Sequence, residues 1–191
     1  MMRLLTPPTV EPVTVDDCRL ALRIDDSRFD ALLPGLISAS RAVAEQVTGR
    51  QLVQQTWRTE LADWPLSTDV IHVHQATACA ITYWDGAAWV SLAGGAYAYG
   101  PDTTGAGTVL APALSSTGWP TLGEIAIGPR VRIDLTAGLA PASADDVPAG
   151  IQTFIVALVG QLVQTPDLTA TQAVQAHPLL ARLLDPWRLY G

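Results

Sequence analysis

Two histidines on alternate positions, His72 and His74, are the residues whose spacing most directly suggests chemistry. On a strand they would share one face, an arrangement that suits two metal ligands. Against this, the only other histidine is His177, and no nearby cysteine or carboxylate cluster completes a site. A half-exposed sheet face is by far the commoner reason for such a pair. Asp25-Asp26 and Asp145-Asp146 are adjacent carboxylates at helix starts, where acids interact with the macrodipole more often than they form an acid/base pair. All 11 basic residues are arginine, so Schiff-base and phosphate-loop lysine chemistry are excluded. Gly94-Gly95 and Gly105-Ala-Gly107 fall in turns between strands with no helix to receive a phosphate, and no serine or cysteine sits in a nucleophile-elbow context. The residues therefore point away from an enzyme and imply no cofactor.

The elements that would hold such residues read as helices, then strands, then helices. Residues 1–13 contain Pro7, Pro8 and Pro12 and read as an extended arm. Thr14-Val-Asp-Asp17 is a capping-box variant opening a short helix to about Leu22, and Ser27-Arg-Phe-Asp30 repeats the device to open a long helix to Thr48. Pro34 is expected to kink that helix or delay its regular start. Phe29, Leu32, Leu33, Leu36, Val43 and Val47 are its core candidates, and Gly49 ends it in the left-handed conformation. Beyond Gly49 the apolar period changes to two, so helix passes directly into strand. Strands are expected around Val53–Leu61, Val70–Gln75, Ala78–Trp84, Trp89–Leu92, Tyr97–Tyr99, Thr108–Ala111 and Arg130–Ala137, with Asp85-Gly86 as a hairpin turn and Trp119-Pro120 as a packed corner.

Helix returns when Asp146 caps a segment carrying Pro148 in its first turn, with Ile151, Ile155, Leu158, Val159 and Leu162 as its stripe. A polar stretch, Asp167 to Gln175, precedes a last short helix from Pro178. The fold class is α+β: a helical bundle from residues 14–50 and 146–184, an inserted antiparallel β region at 51–139, and a tail at 185–191.

At 191 residues, the chain can bury on the order of 70% of its unfolded surface without disulfides or metal. A net charge of −7 argues against gripping nucleic acid or anionic membrane. Met1 to Pro8 lacks the apolar run of a signal peptide, and Ile151–Val163 is too short for a membrane span. Cys18 and Cys79 read as reduced and buried. Only 15% of residues are charged and mean hydropathy is positive, which suits a chain that covers more surface than a free monomer, or one with a large alanine-rich core. Six tryptophans stand against two phenylalanines. Trp187 and Tyr190 flank Arg188 in the tail, and these residue types are enriched at interfaces. A tail folded back on its own domain is the other reading.

Several segments, in order, resemble the phage head–tail connector (adaptor) proteins, a family also present in gene transfer agents. They are Cys18-Arg-Leu-Ala-Leu-Arg-Ile-Asp25, Leu32, Leu36-Ile37, Ala39, Arg41, Glu45, Thr48-Gly49-Arg50, Leu52 and Gln55-Thr56-Trp57. Further on come Tyr83-Trp-Asp-Gly86, Trp119-Pro120, Thr136-Ala-Gly138, Pro148 with Ile151, and Leu183-Leu-Asp-Pro-Trp-Arg188. The resemblance spans about residues 15–188. It implies a homo-oligomeric ring, commonly of twelve copies, made in the bacterial cytoplasm and placed in the particle neck at the capsid vertex. Such a ring joins the portal protein to a neck or tail-side protein, and DNA only passes through its channel. The positions it implies for portal binding are Leu183, Pro186, Trp187, Arg188 and Tyr190, with Thr48, Gly49 and Arg50 as a structural junction. The alternatives are a small metal-dependent enzyme using His72 and His74, or a monomeric β-type ligand-binding module.

Overall fold

A computed structural model describes residues 2–25, 27–116, 118–140, 146–165, 169–176 and 178–189. The chain divides into two compact units: a helical one built from Pro8–Val53 and the chain from Leu139 onward, and a β unit built from Gln54–Gly138 with the N-terminal residues as far as Pro7. The described elements are mixed α+β, as the order of sequence patterns implies.

In the helical unit, α1 (Val15–Leu22) starts on the expected capping box. Asp17 N–H donates to Thr14 Oγ1 at 3.1 Å, and Thr14 N–H donates to Asp17 Oδ2 at 2.9 Å. The second device behaves differently. Ser27–Phe29 closes into a single 3-10 turn, and the long helix α2 spans Leu33–Thr48. Pro34 thus occupies its first turn, where the missing N–H would have had no helical partner, so no kink is required. Gly49 ends α2 at φ 71° with its N–H on Glu45 O at 2.8 Å, the left-handed cap that glycine adopts at least cost.

Helix α3 (Ala149–Gln164) is the centre of this unit and packs against α1, α2, α4 (Ala170–Ala176) and α5 (Pro178–Arg182). Its expected stripe is buried, with Ile151, Ile155, Leu158 and Val159 fully enclosed. Phe154 joins them as the largest fully buried side chain, at the i+3 position from Ile151. The expected Asp146 cap is not made; Pro148 itself stands at the cap position with extended ψ (137°), and no side chain caps the helix. The stretch read as polar contains α4, opened by a second reciprocal box in which Thr169 N–H donates to Gln172 Oε1 and Gln172 N–H to Thr169 Oγ1.

The β unit holds a fully antiparallel sheet in the order β1-β2-β7-β3-β4: β1 (Met2–Thr6), β2 (Gln55–Leu61), β7 (Val131–Ala137), β3 (Ala78–Trp84) and β4 (Trp89–Ser91). A separate hairpin pairs β5 (Tyr97–Pro101) with β6 (Thr108–Pro112). The central strand, β7, shows the cleanest alternation: Val131, Ile133, Leu135 and Ala137 are buried. On its opposite face Asp134 receives a bidentate pair from Arg58, directly across on β2, at 2.6 and 2.7 Å. The first residues of the chain are extended, and Met2–Thr6 are hydrogen-bonded to β2 as an edge strand.

Asp85-Gly86 does turn β3 into β4. Asp85 Oδ1 accepts from the N–H groups of Ala87 and Ala88 at 2.7 and 2.8 Å, which holds its carboxyl below the usual range. Gly123 lies so close to the backbone of Gly86 that a Cβ there would overlap it. The Trp119-Pro120 corner packs as expected: Trp64 stacks on Trp119 at 4.6 Å and donates from Nε1 to Pro120 O at 2.8 Å.

The segment from Val70 to Gln75 forms no strand. Ile71 makes one bridge to Thr108, and Val73 N–H then bonds back to Ile71 O at 2.6 Å, an i→i+2 turn that folds the chain at His72. Gln75 takes φ 47°, which also ends any extended run.

Candidate functional site

The residues that the sequence singles out lie in three places, and the structure brings two of them together. Helix α5 leads into Leu184, which is fully buried and fixes the start of the tail in the helical core. A 3-10 turn, Asp185–Trp187, follows with Pro186 in its first turn, where proline's fixed φ suits the geometry. Trp187 is half-buried against the helical core. Leu183 (37% exposed) and Pro186 remain on the outside, with Leu179 (72%) one helical turn before Leu183. Tyr190 lies outside the described residues.

The tail closes on the junction Thr48-Gly49-Arg50. Arg50 donates from Nε to Trp187 O at 2.7 Å, and Leu189 N–H donates to Thr48 O at 2.9 Å. Gly49 has no side chain, and Leu189 fills the space beside it, with its Cβ 3.6 Å from where a Gly49 Cβ would stand. Arg188 reaches Asp185 at 3.4 Å, but its Nε is buried with no hydrogen-bond partner among the described residues. A buried donor left without a partner costs about 1–3 kcal/mol.

The junction is itself held from behind. Glu45 accepts from Arg41 Nη1 with one carboxylate oxygen at 2.8 Å and from Leu52 N–H with the other at 2.9 Å, bridging the Gly49 turn. Arg41, 9% exposed in its side chain, also donates from Nε to Glu11 at 2.7 Å. Thr48 Oγ1 donates to Ala44 O at 2.7 Å, and its backbone oxygen, which has no helical donor because α2 ends here, accepts from Leu189 N–H. The sequence flagged Arg41, Glu45 and Arg50 only through resemblance, and Thr48 and Gly49 also as the end of the helix; here each has a bonding role. Leu189 went unread, because its partner is the missing side chain of a distant glycine.

The two histidines do not share a face. His72 is exposed, whereas His74 is buried with Nδ1 2.6 Å from Gly105 O. Among the described residues no three His, Cys, Asp or Glu side chains stand close enough to share a metal ion. Burial raises the thiol pKa of Cys18 to about 11 and that of Cys79 to about 12, so both are poor nucleophiles near neutrality. No described helix is long and apolar enough to cross a membrane.

No protein-family model matches the sequence, and no curated protein matches it. Solved structures do. A chain in the neck of an empty gene transfer agent particle, computed with C6 symmetry, is similar at TM-score 0.76 and 22% identity. A chain in the virion of the native gene transfer agent particle matches at 0.74 and 23%, and one in the native neck computed with C12 symmetry at 0.70 and 22%. Each match covers 100% of this chain and 96% of the other. At such identities the likeness establishes a shared fold, from end to end.

Proposed function

We propose that the chain is a head–tail connector (adaptor): a structural subunit of the neck of a gene transfer agent or phage particle, where its copies form a ring between portal and tail. The observation that carries this reading is the end-to-end likeness of fold to chains from particle necks, solved with sixfold and twelvefold symmetry. It agrees with the ordered resemblance of the sequence to connector proteins, whose two most legible motifs, Thr48-Gly49-Arg50 and Leu183–Arg188, meet in this fold.

In this role the chain works through shape rather than catalysis. A ring repeats one heterologous contact, so each copy carries two different complementary surfaces. The tail supplies the contact to the portal, through Leu183, Pro186, Trp187, Arg188 and Tyr190. A net charge of −7, with arginines such as Arg41, Arg58 and Arg132 tied to carboxylates, leaves little positive field to retard DNA in a channel. Mass measurement of the chain mixed with the portal protein of the same particle tests the reading. A defined complex with a fixed number of copies per portal ring supports it; two unassociated species at all concentrations would refute it.

A further inference from the structure

The tail assigned to portal contact is already engaged within its own subunit. Trp187 O is taken by Arg50, Leu189 N–H by the backbone oxygen of Thr48, and the Leu189 side chain by the space over Gly49. These contacts occupy the main chain and one side of the segment, while Arg188 Nε is buried without an acceptor among the described residues. A partner that took the tail in extended form would need the same backbone groups and could supply that acceptor.

We propose that the Thr48-Gly49-Arg50 junction is a latch that holds the tail in cis in the unassembled subunit, and that portal docking requires its release. This inference rests on the reading of residues 183–190 as the portal contact. The latch is weak enough to open: beyond Leu184, among the described residues, the tail meets the junction through one backbone–backbone hydrogen bond, one bond from the Arg50 side chain to a backbone oxygen, and the packing of Trp187 and Leu189. It is also specific. Thr48 Oγ1 bonded to Ala44 O orients the residue, Gly49 leaves room for Leu189, and Arg50 spans to Trp187 O. A free subunit would thus shield its anchor until a portal offers better partners, which limits premature binding of tails to other copies.

A disulfide lock tests it. A Cβ at position 49 would lie 3.6 Å from Leu189 Cβ, within the separation of about 3.5–4.5 Å that a disulfide spans. In a Cys79→Ser background, the Gly49→Cys, Leu189→Cys variant should crosslink on mild oxidation, read by mass spectrometry. The oxidised form should attach to the portal ring at least tenfold less than the same protein after reduction. Comparing two redox states of one variant cancels any strain from cysteine at 49. Failure to crosslink, or equal attachment in both states, would overturn the latch. Deleting residues 185–191 separates the two ideas: lost attachment with an ineffective lock refutes the latch alone, whereas retained attachment refutes the portal reading and the latch with it. Should the double variant fail to fold, Arg50→Met serves. Hydrogen exchange at the Leu189 amide should then speed up about tenfold in the free subunit, and an unchanged rate contradicts the proposal.

Discussion

Arg50 and Trp187, 137 residues apart, are joined by a 2.7 Å hydrogen bond from the guanidinium Nε to the backbone oxygen. The place where α2 ends and the chain departs for the sheet is therefore also the place where the tail returns. Glu45, bonded to Arg41 and to Leu52 N–H, braces both events from one side chain. Thr48-Gly49-Arg50 is where the end of α2 and the returning tail meet.

The portal contact proposed for the tail predicts a selective defect. Deleting residues 185–191 should abolish attachment to the portal protein, while Leu184 keeps the helical core closed and thermal stability falls by only a few degrees. Cosedimentation with the portal ring is the readout, and unchanged binding would contradict the assignment.

Arg41 is the buried charge on which two carboxylates depend, Glu11 at 2.7 Å and Glu45 at 2.8 Å. Arg41→Met removes the guanidinium bonded to both carboxylates, and breaking such a pair costs about 3 kcal/mol. Urea unfolding should show a lower midpoint with an unchanged slope. A loss under about 0.5 kcal/mol would mean the network contributes little.

Thr14→Ala removes the capping box of α1 and should cost about 1 kcal/mol. The hydroxyl and backbone N–H of Thr14 lower the pKa of Asp17 below 3.8. A lowered carboxylate contributes stability that is present above the unfolded value and lost as pH falls through the folded one. The difference in stability between wild type and Thr14→Ala should therefore be constant near neutrality and shrink below pH 3.8. A difference that grew on acidification would contradict the bonding seen here.

The thiols give a prediction on the alkaline side. With Cys18 raised to about 11 and Cys79 to about 12, both should react slowly with a disulfide reagent at pH 8 and rapidly once the chain is unfolded. Because burial favours the neutral thiol, this stabilisation is fully present below the unfolded value of 9.0 and is lost as pH rises through about 11 and 12. Cys18 is buried and Cys79 half-buried, so rapid labelling of the native chain at both would contradict this placement.

What could be read from the sequence was local. The alternation of Val131, Ile133 and Leu135, the Thr14/Asp17 box and the Gly49 stop each depend on neighbours a few residues away, and each stands in the structure. Ser27 misled because the same polar start can close a 3-10 turn as easily as open a helix, and Pro34 then set the true beginning. The segment from Val70 to Gln75 had strand periodicity, but the turn at His72 outweighed it and separated the two histidines. The residues that open α4, Thr169 and Gln172, read along the sequence simply as polar, because their pairing as a box shows only once the helix is formed. The tail's composition marked Trp187 and Arg188 as interface types, yet no local pattern could reveal that Arg50 bonds to Trp187 O and that Thr48 O accepts from Leu189 N–H.

Electron microscopy of the chain mixed with the portal protein tests the central claim most directly. The account predicts closed rings of this subunit stacked coaxially on the portal, with residues 183–190 at the contact. Persistent monomers, or rings that never meet the portal, would contradict it.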